Sequence, residues 1–249
     1  MTRWKASGIH LLISAGIAAA AVAVMLGVMY PWEYFQASGG FKLLAILLSV
    51  DVVIGPLLTL LVFKTGKPSL RFDLTVIALL QVAALVYGMW VVIEARPVFL
   101  VHVGDRFHLV RANDLEDELL ALGSEERFRT RSWTGPRLAV AIKPRDVDRQ
   151  QELMMAALSG TDLNYFPESY SDYEQHTDVV LARSLSTVQL LKNRPEDSAP
   201  IAAFLEDSGR EASSTVILPL KVGINFLTAL VDSRTGEFLK IFAVDPWGE

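Results

Sequence analysis

The sequence predicts a membrane α-helical bundle of three transmembrane helices, followed by a C-terminal α+β domain with an antiparallel sheet. Hydrophobic residues make up 51% of the 249 positions and are concentrated before residue 95. Three stretches in that region each reach the roughly 20 apolar residues that a helix needs to cross a bilayer. Later in the chain, short apolar segments separated by turn residues indicate strands. We therefore expect a transmembrane domain at 1–95 and an extramembrane domain at 96–249.

The predicted transmembrane helices span residues 9–30, 41–63 and 74–94. The basic residues before the first span resemble the start of a signal peptide, which is the alternative interpretation of this segment. The apolar run is longer than the roughly 7–15 residues of a signal-peptide core, and no polar mature sequence follows the small residues within it. We therefore expect the first span to be retained.

The distribution of positive charge predicts the orientation of the bundle. Arg3 and Lys5 precede the first span, and the second loop carries Lys64, Lys67 and Arg71, whereas the first loop carries neither Lys nor Arg. Cytoplasmic loops are enriched in these residues, so the N-terminus and the second loop are predicted to be cytoplasmic. The first loop and the C-terminal domain then lie outside. An aromatic belt at the outer interface is expected from Tyr30, Trp32, Tyr34, Phe35 and Trp90.

Asp51 is an ionisable residue in the middle of the second predicted span. At 1.5 Å per residue it lies near the bilayer midplane, where a charged side chain costs on the order of 3 kcal/mol or more. Gly55 and Pro56 follow, and a proline inside a helix lacks an N–H and favours a kink. Asp51, Gly55 and Thr59 are spaced by four residues and share one helical face. One side of this span is therefore predicted to be polar, small and bent.

The neighbouring third span offers possible partners for the Asp51 carboxyl. Tyr87 has nearly the same predicted depth, and Gln81 lies nearer the cytoplasm, where its amide can bridge helices. Three interpretations of Asp51 stay open: a neutral group bonded to Tyr87, a docking group for a partner helix, or part of a proton or ion path. The candidate docking residues are Asp51, Gly55, Pro56, Thr59, Gln81 and Tyr87.

The first span carries small residues at intervals of four, which let helix backbones approach closely. We expect this row to pack inside the three-helix bundle rather than to form an external dimer face. His10, near the cytoplasmic end, is expected to be an interfacial or hydrogen-bonded residue rather than a ligand. The small residues are Ala15, Ala19, Ala23 and Gly27.

The C-terminal domain is predicted to combine strands and helices. Asn113 and Glu116 have the spacing of a capping box, and Gly160 is a suitable C-terminal cap. Helices are expected at 113–122, 146–159, 184–193 and 196–208. Strands are expected at 98–103 and 106–111 around a Gly104–Asp105 turn, at 138–142, and in a final meander at 216–222, 226–232 and 237–244.

The residues give no sign of an active site or a metal site. The chain has no cysteine, which excludes disulfides, thiol nucleophiles and cysteine ligands. His102 and His108 can oppose one another on the first hairpin but lack a third ligand, so we expect solvated histidines. Nucleotide-binding and hydrolase motifs are missing from the sequence. A net charge of −5 gives no support to nucleic-acid binding. We predict no enzymatic activity and no cofactor.

Segments along the whole chain carry a family resemblance. The most specific is 51–59, DVVIGPLLT, and residues 113–215 are the least distinctive. The other segments are 3–14, 30–31, 73–81, 95–98, 232–237 and 245–247. With these segments the chain resembles the type IV pilin accessory proteins (TfpX/TfpZ family) of bacterial inner membranes.

The resemblance implies an accessory or chaperone protein for the assembly of a cognate major type IV pilin, with a cytoplasmic N-terminus and a periplasmic C-terminal domain. It brings no catalytic residues. The polar face of the second span would receive the apolar pilin helix, and an edge of the terminal sheet would meet the pilin head. Two alternatives are a membrane-anchored enzyme acting on pilin or lipid, and a sensor with an external ligand-binding domain. The short cytoplasmic segments leave no room for an output domain, which weakens the sensor alternative.

Overall fold

The protein was described from a computed structural model, which covers residues 2–37 and 40–247. Residues 1, 38, 39, 248 and 249 lie outside this description. Residues 38 and 39 belong to the predicted first loop, and the other three lie at the outer ends of the two predicted domains. The chain divides into two compact units between Arg96 and Pro97.

The first unit is helical, and it confirms the three predicted apolar helices. Three of its helical stretches are long and apolar enough to cross a membrane: Arg3–Met29, Leu44–Val62 and Leu70–Glu94. The α-helices are α1 (Arg3–Val24), α2 (Trp32–Ala37), α3 (Gly40–Leu48), α4 (Gly55–Val62) and α5 (Leu70–Glu94). Two π-helical segments extend them: Met25–Met29 continues α1, and Ser49–Ile54 joins α3 to α4.

Aromatic rings pack the connection between α1 and α3. The Tyr30 hydroxyl donates a hydrogen bond of 2.9 Å to the carbonyl oxygen of Val92, which ties this connection to the end of α5. Phe35 is buried, and its ring contacts the rings of Tyr30, Trp32 and Phe41. The location of these aromatic residues at a membrane interface stays a prediction. Trp32 and Trp90 are exposed, but Tyr30, Tyr34 and Phe35 are buried because they fill the space between helix ends.

The predicted burial of the small residues on α1 is wrong. Ala15, Ala19, Ala23 and Gly27 are all exposed. The buried face of α1 and its π-helical extension is another one, made by Ala6, Ser14, Ala18, Met25 and Met29. Both faces are rich in small residues, so the residue spacing predicts close packing but not which face provides it.

The second unit is built on an eight-stranded sheet. Its strands are β1 (Pro97–Val103), β2 (Arg106–Arg111), β3 (Arg137–Ala141), β4 (Tyr170–Asp172), β5 (Leu185–Ser186), β6 (Thr215–Val222), β7 (Asn225–Asp232) and β8 (Phe238–Phe242). The spatial order is β4-β3-β1-β2-β6-β7-β8, and β5 pairs with β6. The predicted first hairpin, the β3 strand and the final meander are confirmed.

The sheet is mixed, so the prediction of an antiparallel sheet is wrong in part. Strands β1 and β3 are parallel, and so are β2 and β6, which pair through Phe107 with Leu220 and His108 with Lys221. Parallel neighbours need long crossover connections, and long chain segments separate the strands of both these pairs. Their pairing depends on tertiary packing rather than on local turn residues.

In the described part of this unit, five α-helices accompany the sheet: α6 (Asp117–Ala121), α7 (Val147–Leu158), α8 (Thr177–Leu181), α9 (Thr187–Asn193) and α10 (Ala199–Asp207). The α7 prediction is confirmed: the Asp146 carboxylate accepts a bond of 2.8 Å from the Arg149 N–H, and Gly160 follows the helix with φ of +94°. The capping-box prediction is wrong. Asn113 lies in a 3₁₀ turn, and α6 begins only at Asp117.

Two apolar cores lie on different parts of the sheet. The first gathers residues from β1, β2, β3, β4, α6 and the turn that ends at Phe128, including Val98, Phe99, Val110, Phe128, Ala139 and Tyr170. The second gathers residues from α9, α10, β6, β7 and β8, including Leu190, Ile201, Leu205, Ile217, Leu230 and Phe242. Each core is formed by strands and helices that are close in sequence.

The histidines of the first hairpin lie on opposite faces of the sheet. His102 pairs with Phe107, and His108 pairs with Val101, so the two imidazoles belong to alternate positions. His102 is 1% exposed and contacts the Phe107 ring at 5.3 Å between centroids. Neither of its ring nitrogens has a hydrogen-bond partner in the described part of the chain. The expectation of solvated histidines is wrong for His102, which is buried in the sheet, whereas His108 on the other face is half-buried.

Candidate functional site

The site around Asp51 begins with the backbone of the π-helical segment Ser49–Ile54. In a π-helix each N–H donates to the carbonyl five residues earlier, as the Gly55 N–H does to Val50. The next donor in this pattern would be residue 56, but Pro56 has no N–H. The freed carbonyl oxygen of Asp51 instead accepts a bond of 3.1 Å from the Gln81 side-chain amide on α5. Pro56 and Gln81 therefore act as a pair that joins the second span to the third.

Gly55 provides the space for this amide. A Cβ atom at position 55 would lie 2.0 Å from the Gln81 Nε2, a distance at which the two atoms cannot coexist. Any larger residue would displace the amide and leave the Asp51 carbonyl without its donor. The predicted docking residues Gly55, Pro56 and Gln81 thus lie together, and each has a role within the unit.

Two further contacts hold this segment against α1. The His10 Nδ1 lies 2.6 Å from the Thr59 Oγ1, and the Ser7 hydroxyl donates a bond of 2.8 Å to the Pro56 carbonyl. The expectation of a hydrogen-bonded His10 is confirmed. Thr59 is buried by these contacts. The face that carries Gly55 and Thr59 is therefore covered by Gln81 of α5 and by His10 of α1.

The Asp51 carboxyl lies beside a small pocket. The residue is 7% exposed, and its Oδ1 has no hydrogen-bond partner within residues 2–37 and 40–247. The pocket has a volume of about 160 Å³. Four polar residues, His10, Ser14, Asp51 and Gln81, line it together with Ile13, Ile17, Ala78, Val82 and Leu85. A buried carboxyl oxygen without a partner makes this pocket suited to a hydrogen-bond donor or a cation.

Tyr87 does not join the site. Its side chain is 65% exposed and packs against the Trp90 ring, with 5.9 Å between centroids. The proposed bond between Tyr87 and Asp51 is therefore wrong. Equal depth places two residues at one level of a bundle, but it does not fix the rotation of each helix about its axis.

Two serines of α1 were missed as members of the site. Ser7 bonds Pro56, and Ser14 lines the pocket. With His10 between them, the three polar residues recur at intervals of three and four on one helical face. This periodicity in an otherwise apolar span is the signal that could have identified them. Among the described residues, no group of three or more His, Asp or Glu side chains is placed to hold a metal ion.

Replacing Gln81 with leucine is expected to lower the stability of the helical unit by about 1 kcal/mol, because the Asp51 carbonyl loses its donor. The additional change Pro56→Ala should restore much of this loss, since residue 56 then has an N–H. Thermal unfolding of the full-length protein in detergent measures both variants. A double variant less stable than Gln81→Leu alone would show that Pro56 does not free this carbonyl.

Comparison with known proteins gives consistent similarities. The family model described as "Fimbrial assembly protein FimB" matches residues 1–39. A fimbrial assembly protein of serogroup I from Dichelobacter nodosus is 29% identical over 223 residues, which cover 87% of this chain and 85% of the relative. The serogroup E1 protein of the same organism is 31% identical over 182 residues, which cover 71% of this chain and 69% of the relative.

A third relative, the fimbrial assembly protein of serogroups C1 and C2 from the same organism, is 37% identical over 121 residues. These cover 46% of this chain and 90% of the relative. No solved structure matches the chain significantly.

Proposed function

Because the chain belongs to the fimbrial assembly protein family of type IV pilus accessory proteins, we propose that it acts as a chaperone for a cognate pilin held in the bacterial inner membrane. The similarity to the serogroup E1 protein over about two thirds of both chains carries this proposal. The charge pattern of the loops supports a cytoplasmic N-terminus and a periplasmic second unit.

Contact with the pilin would occur at the pocket beside Asp51. The mouth of this pocket lies between α1 and α5, and its rim residues Ile13 and Ile17 are exposed. An apolar helix that carries a hydrogen-bond donor could pack on these isoleucines and satisfy the Asp51 Oδ1. In lipid such a bond is worth about 1 kcal/mol, so it would select the partner and its register rather than provide most of the affinity.

Deleting the gene is expected to abolish or strongly reduce surface pili, and the wild-type gene should restore them. Asp51→Asn keeps hydrogen-bonding capacity and should restore piliation in part, whereas Asp51→Leu should not. Counting pili by electron microscopy measures the result, and immunoblots of membranes control for the amount of each variant. Normal piliation in the deletion strain would refute the proposed function.

Photo-crosslinking tests the position of the contact. A benzophenone amino acid at Ile13 should form an adduct with pilin, while one at Leu80, which is exposed on α5 but does not line the pocket, should not. The exposed small-residue face of α1 provides the competing location, probed at Ala19. Adducts from Ala19 without adducts from Ile13 would place the pilin on that face and contradict docking at the pocket.

A further inference from the structure

Helix α7 carries an apolar face that is turned away from the core of its own unit. Leu153 is buried, but Val147, Met154, Met155 and Leu158 are 61–78% exposed. Met154 follows Val147 by seven residues, Met155 is next to Met154, and Leu158 follows Met155 by three. With this spacing the four exposed residues lie on the side of the helix opposite Leu153. A helix of a globular domain normally turns its apolar side to the core. The exposed face of α7 therefore has the composition of a binding surface.

Two cavities adjoin this face and share Lys143 and Pro144 as lining residues. The first, of about 370 Å³, lies along α7 and is lined mainly by apolar or uncharged side chains, among them Val147, Leu153, Met154 and Leu163. The second, of about 360 Å³, is lined mainly by polar and charged ones. An apolar cavity thus lies beside a polar one, on either side of the loop 143–145.

The polar cavity has an excess of positive charge. Arg149 is neutralised by Glu168, with 2.5 Å between Nη2 and Oε1, whereas Lys143 and Arg145 form no ion pair with any residue that the structure describes. Hydroxyl groups line the same cavity. Ser169 is 7% exposed, and its Oγ has no partner in the described chain. The Ser171 Oγ lies 2.9 Å from the His176 Nε2. Free cationic side chains with hydroxyl donors suit a phosphate group.

We propose that α7 and the loop 143–145 bind the surface of a membrane that contains anionic phospholipid. The lipid phosphate lies in the polar cavity near Lys143, Arg145 and Ser169. The exposed side chains of α7 enter the boundary between headgroups and acyl chains. This is the binding mode of interfacial amphipathic helices, in which buried apolar area and attraction to anionic lipid act together.

The chain connection favours a lipid surface over a soluble partner. Helix α5 ends at Glu94 and β1 begins at Pro97, so only Ala95 and Arg96 link a membrane-length helix to the second unit. This link keeps the second unit near any bilayer that holds α5, so the effective concentration of lipid is high. Methionine side chains are flexible and adapt to a disordered partner such as acyl chains. The inference concerns lipid alone and goes beyond the proposed role with pilin.

The cysteine-free sequence allows a direct test by spin labelling of the full-length protein in lipid nanodiscs. A label at Met154→Cys is expected to be more accessible to oxygen, which dissolves in lipid, than to a water-soluble nickel chelate. A label at Val188→Cys, half-exposed on α9, serves as the matched control and should show the opposite preference. The discs contain phosphatidylcholine with phosphatidylglycerol, or phosphatidylcholine alone.

Charge removal tests the role of the loop. The double change Lys143→Gln and Arg145→Gln should lower the ratio of lipid-shielded to water-exposed label at position 154 by about thirtyfold, the effect of two basic residues at an anionic surface. Removing phosphatidylglycerol should have a similar effect. The matched control is Arg183→Gln with Lys192→Gln, two exposed basic residues that line neither cavity. It should leave the ratio unchanged.

Three results would overturn the proposal. The first is free access of the nickel chelate to position 154 in anionic discs, and the second is equal shielding of this position in both disc types. The third is equal shielding in detergent without lipid, because this result would indicate that a second copy of the chain covers α7. No pilin is present in these samples. A failure here is therefore separate from a failure of the proposed pilin contact.

Discussion

Replacing Phe128 with alanine is expected to lower the free energy of unfolding of the second unit by about 3–5 kcal/mol, the usual cost of removing a fully buried aromatic side chain. Phe128 has no exposed surface and lies at the centre of the first core. Its ring meets that of Phe99 at 6.1 Å and that of Tyr170 at 5.6 Å between centroids. The cavity left behind would border β1 and β4.

Hydrogen exchange of the full-length protein in detergent measures this effect strand by strand. Amide protection in β1 and β4 should fall by a hundredfold or more, since about 1.4 kcal/mol corresponds to a factor of ten. Leu122→Ala removes a similar apolar group from an exposed position and should change protection little. Protection in β1 that survives Phe128→Ala would mean that this core does not stabilise the strand.

Acidification from pH 7 to pH 4.5 is expected to destabilise the second unit by about 2–3 kcal/mol through His102 alone. Burial lowers the pKa of His102 from 6.5 to about 4, against a smaller raising effect of Asp105 and a further lowering by His108. The unfolded state thus binds more protons between these two values. Stability is therefore complete above pH 6.5 and declines as the pH falls towards 4.

Other titratable groups also affect the stability of the second unit between pH 4.5 and pH 7. Burial also lowers the pKa of His108 to about 4, so this histidine adds to the loss; Asp162 opposes the shift, and Lys221 and Arg106 reinforce it. Backbone N–H groups of Thr235 and Arg234 lower the pKa of Asp232 to about 2, so this carboxylate stays ionised in the folded protein down to pH 4.5.

Hydrogen exchange at pH 7 and 4.5, corrected for the intrinsic exchange rate, provides the measurement. His102→Phe keeps a ring against Phe107 and should remove about half of the pH dependence in β1, since His108 has a similarly lowered pKa and keeps its own contribution. His176→Gln is the comparison, because His176 lies outside the hairpin in a polar environment beside Ser171. An unchanged pH dependence in His102→Phe would assign the effect to other groups.

The elements that sequence predicted well are those with local signals. The β1–β2 hairpin follows from the Gly104–Asp105 turn, the strands of the final meander are joined by short turns, and α7 is followed by its predicted cap Gly160. The parallel pairs β1–β3 and β2–β6 have no such signal, because they join strands that are distant in sequence. The capping box at Asn113 failed since Asp114 bonds the Arg111 N–H instead and holds that segment in a turn.

The sequence predicts most of the residues that form the candidate site, but it does not predict which side chains face one another. The spacing of Asp51, Gly55, Pro56 and Thr59 indicated a polar and irregular face, and the structure brings these residues together with Gln81. Sequence periodicity does not give the rotation of a helix about its axis. For this reason Tyr87 and the small residues of α1 were placed inside the bundle, although both are exposed. The partner of the site stays a prediction.

The junction of β2 and β6 has a consequence for how the second unit reaches its native state. Among the residues that the structure describes, two strand pairs, Phe107 with Leu220 and His108 with Lys221, connect the strand group β1–β4 to the group β5–β8. Side-chain contacts such as that of the Tyr173 hydroxyl with the Gly236 carbonyl add to them. Each group has its own core and contains hairpins between strands that are adjacent in the sequence, which form quickly, whereas joining distant segments is slow. We therefore expect the β2–β6 seam to close after the hairpins within each group have formed.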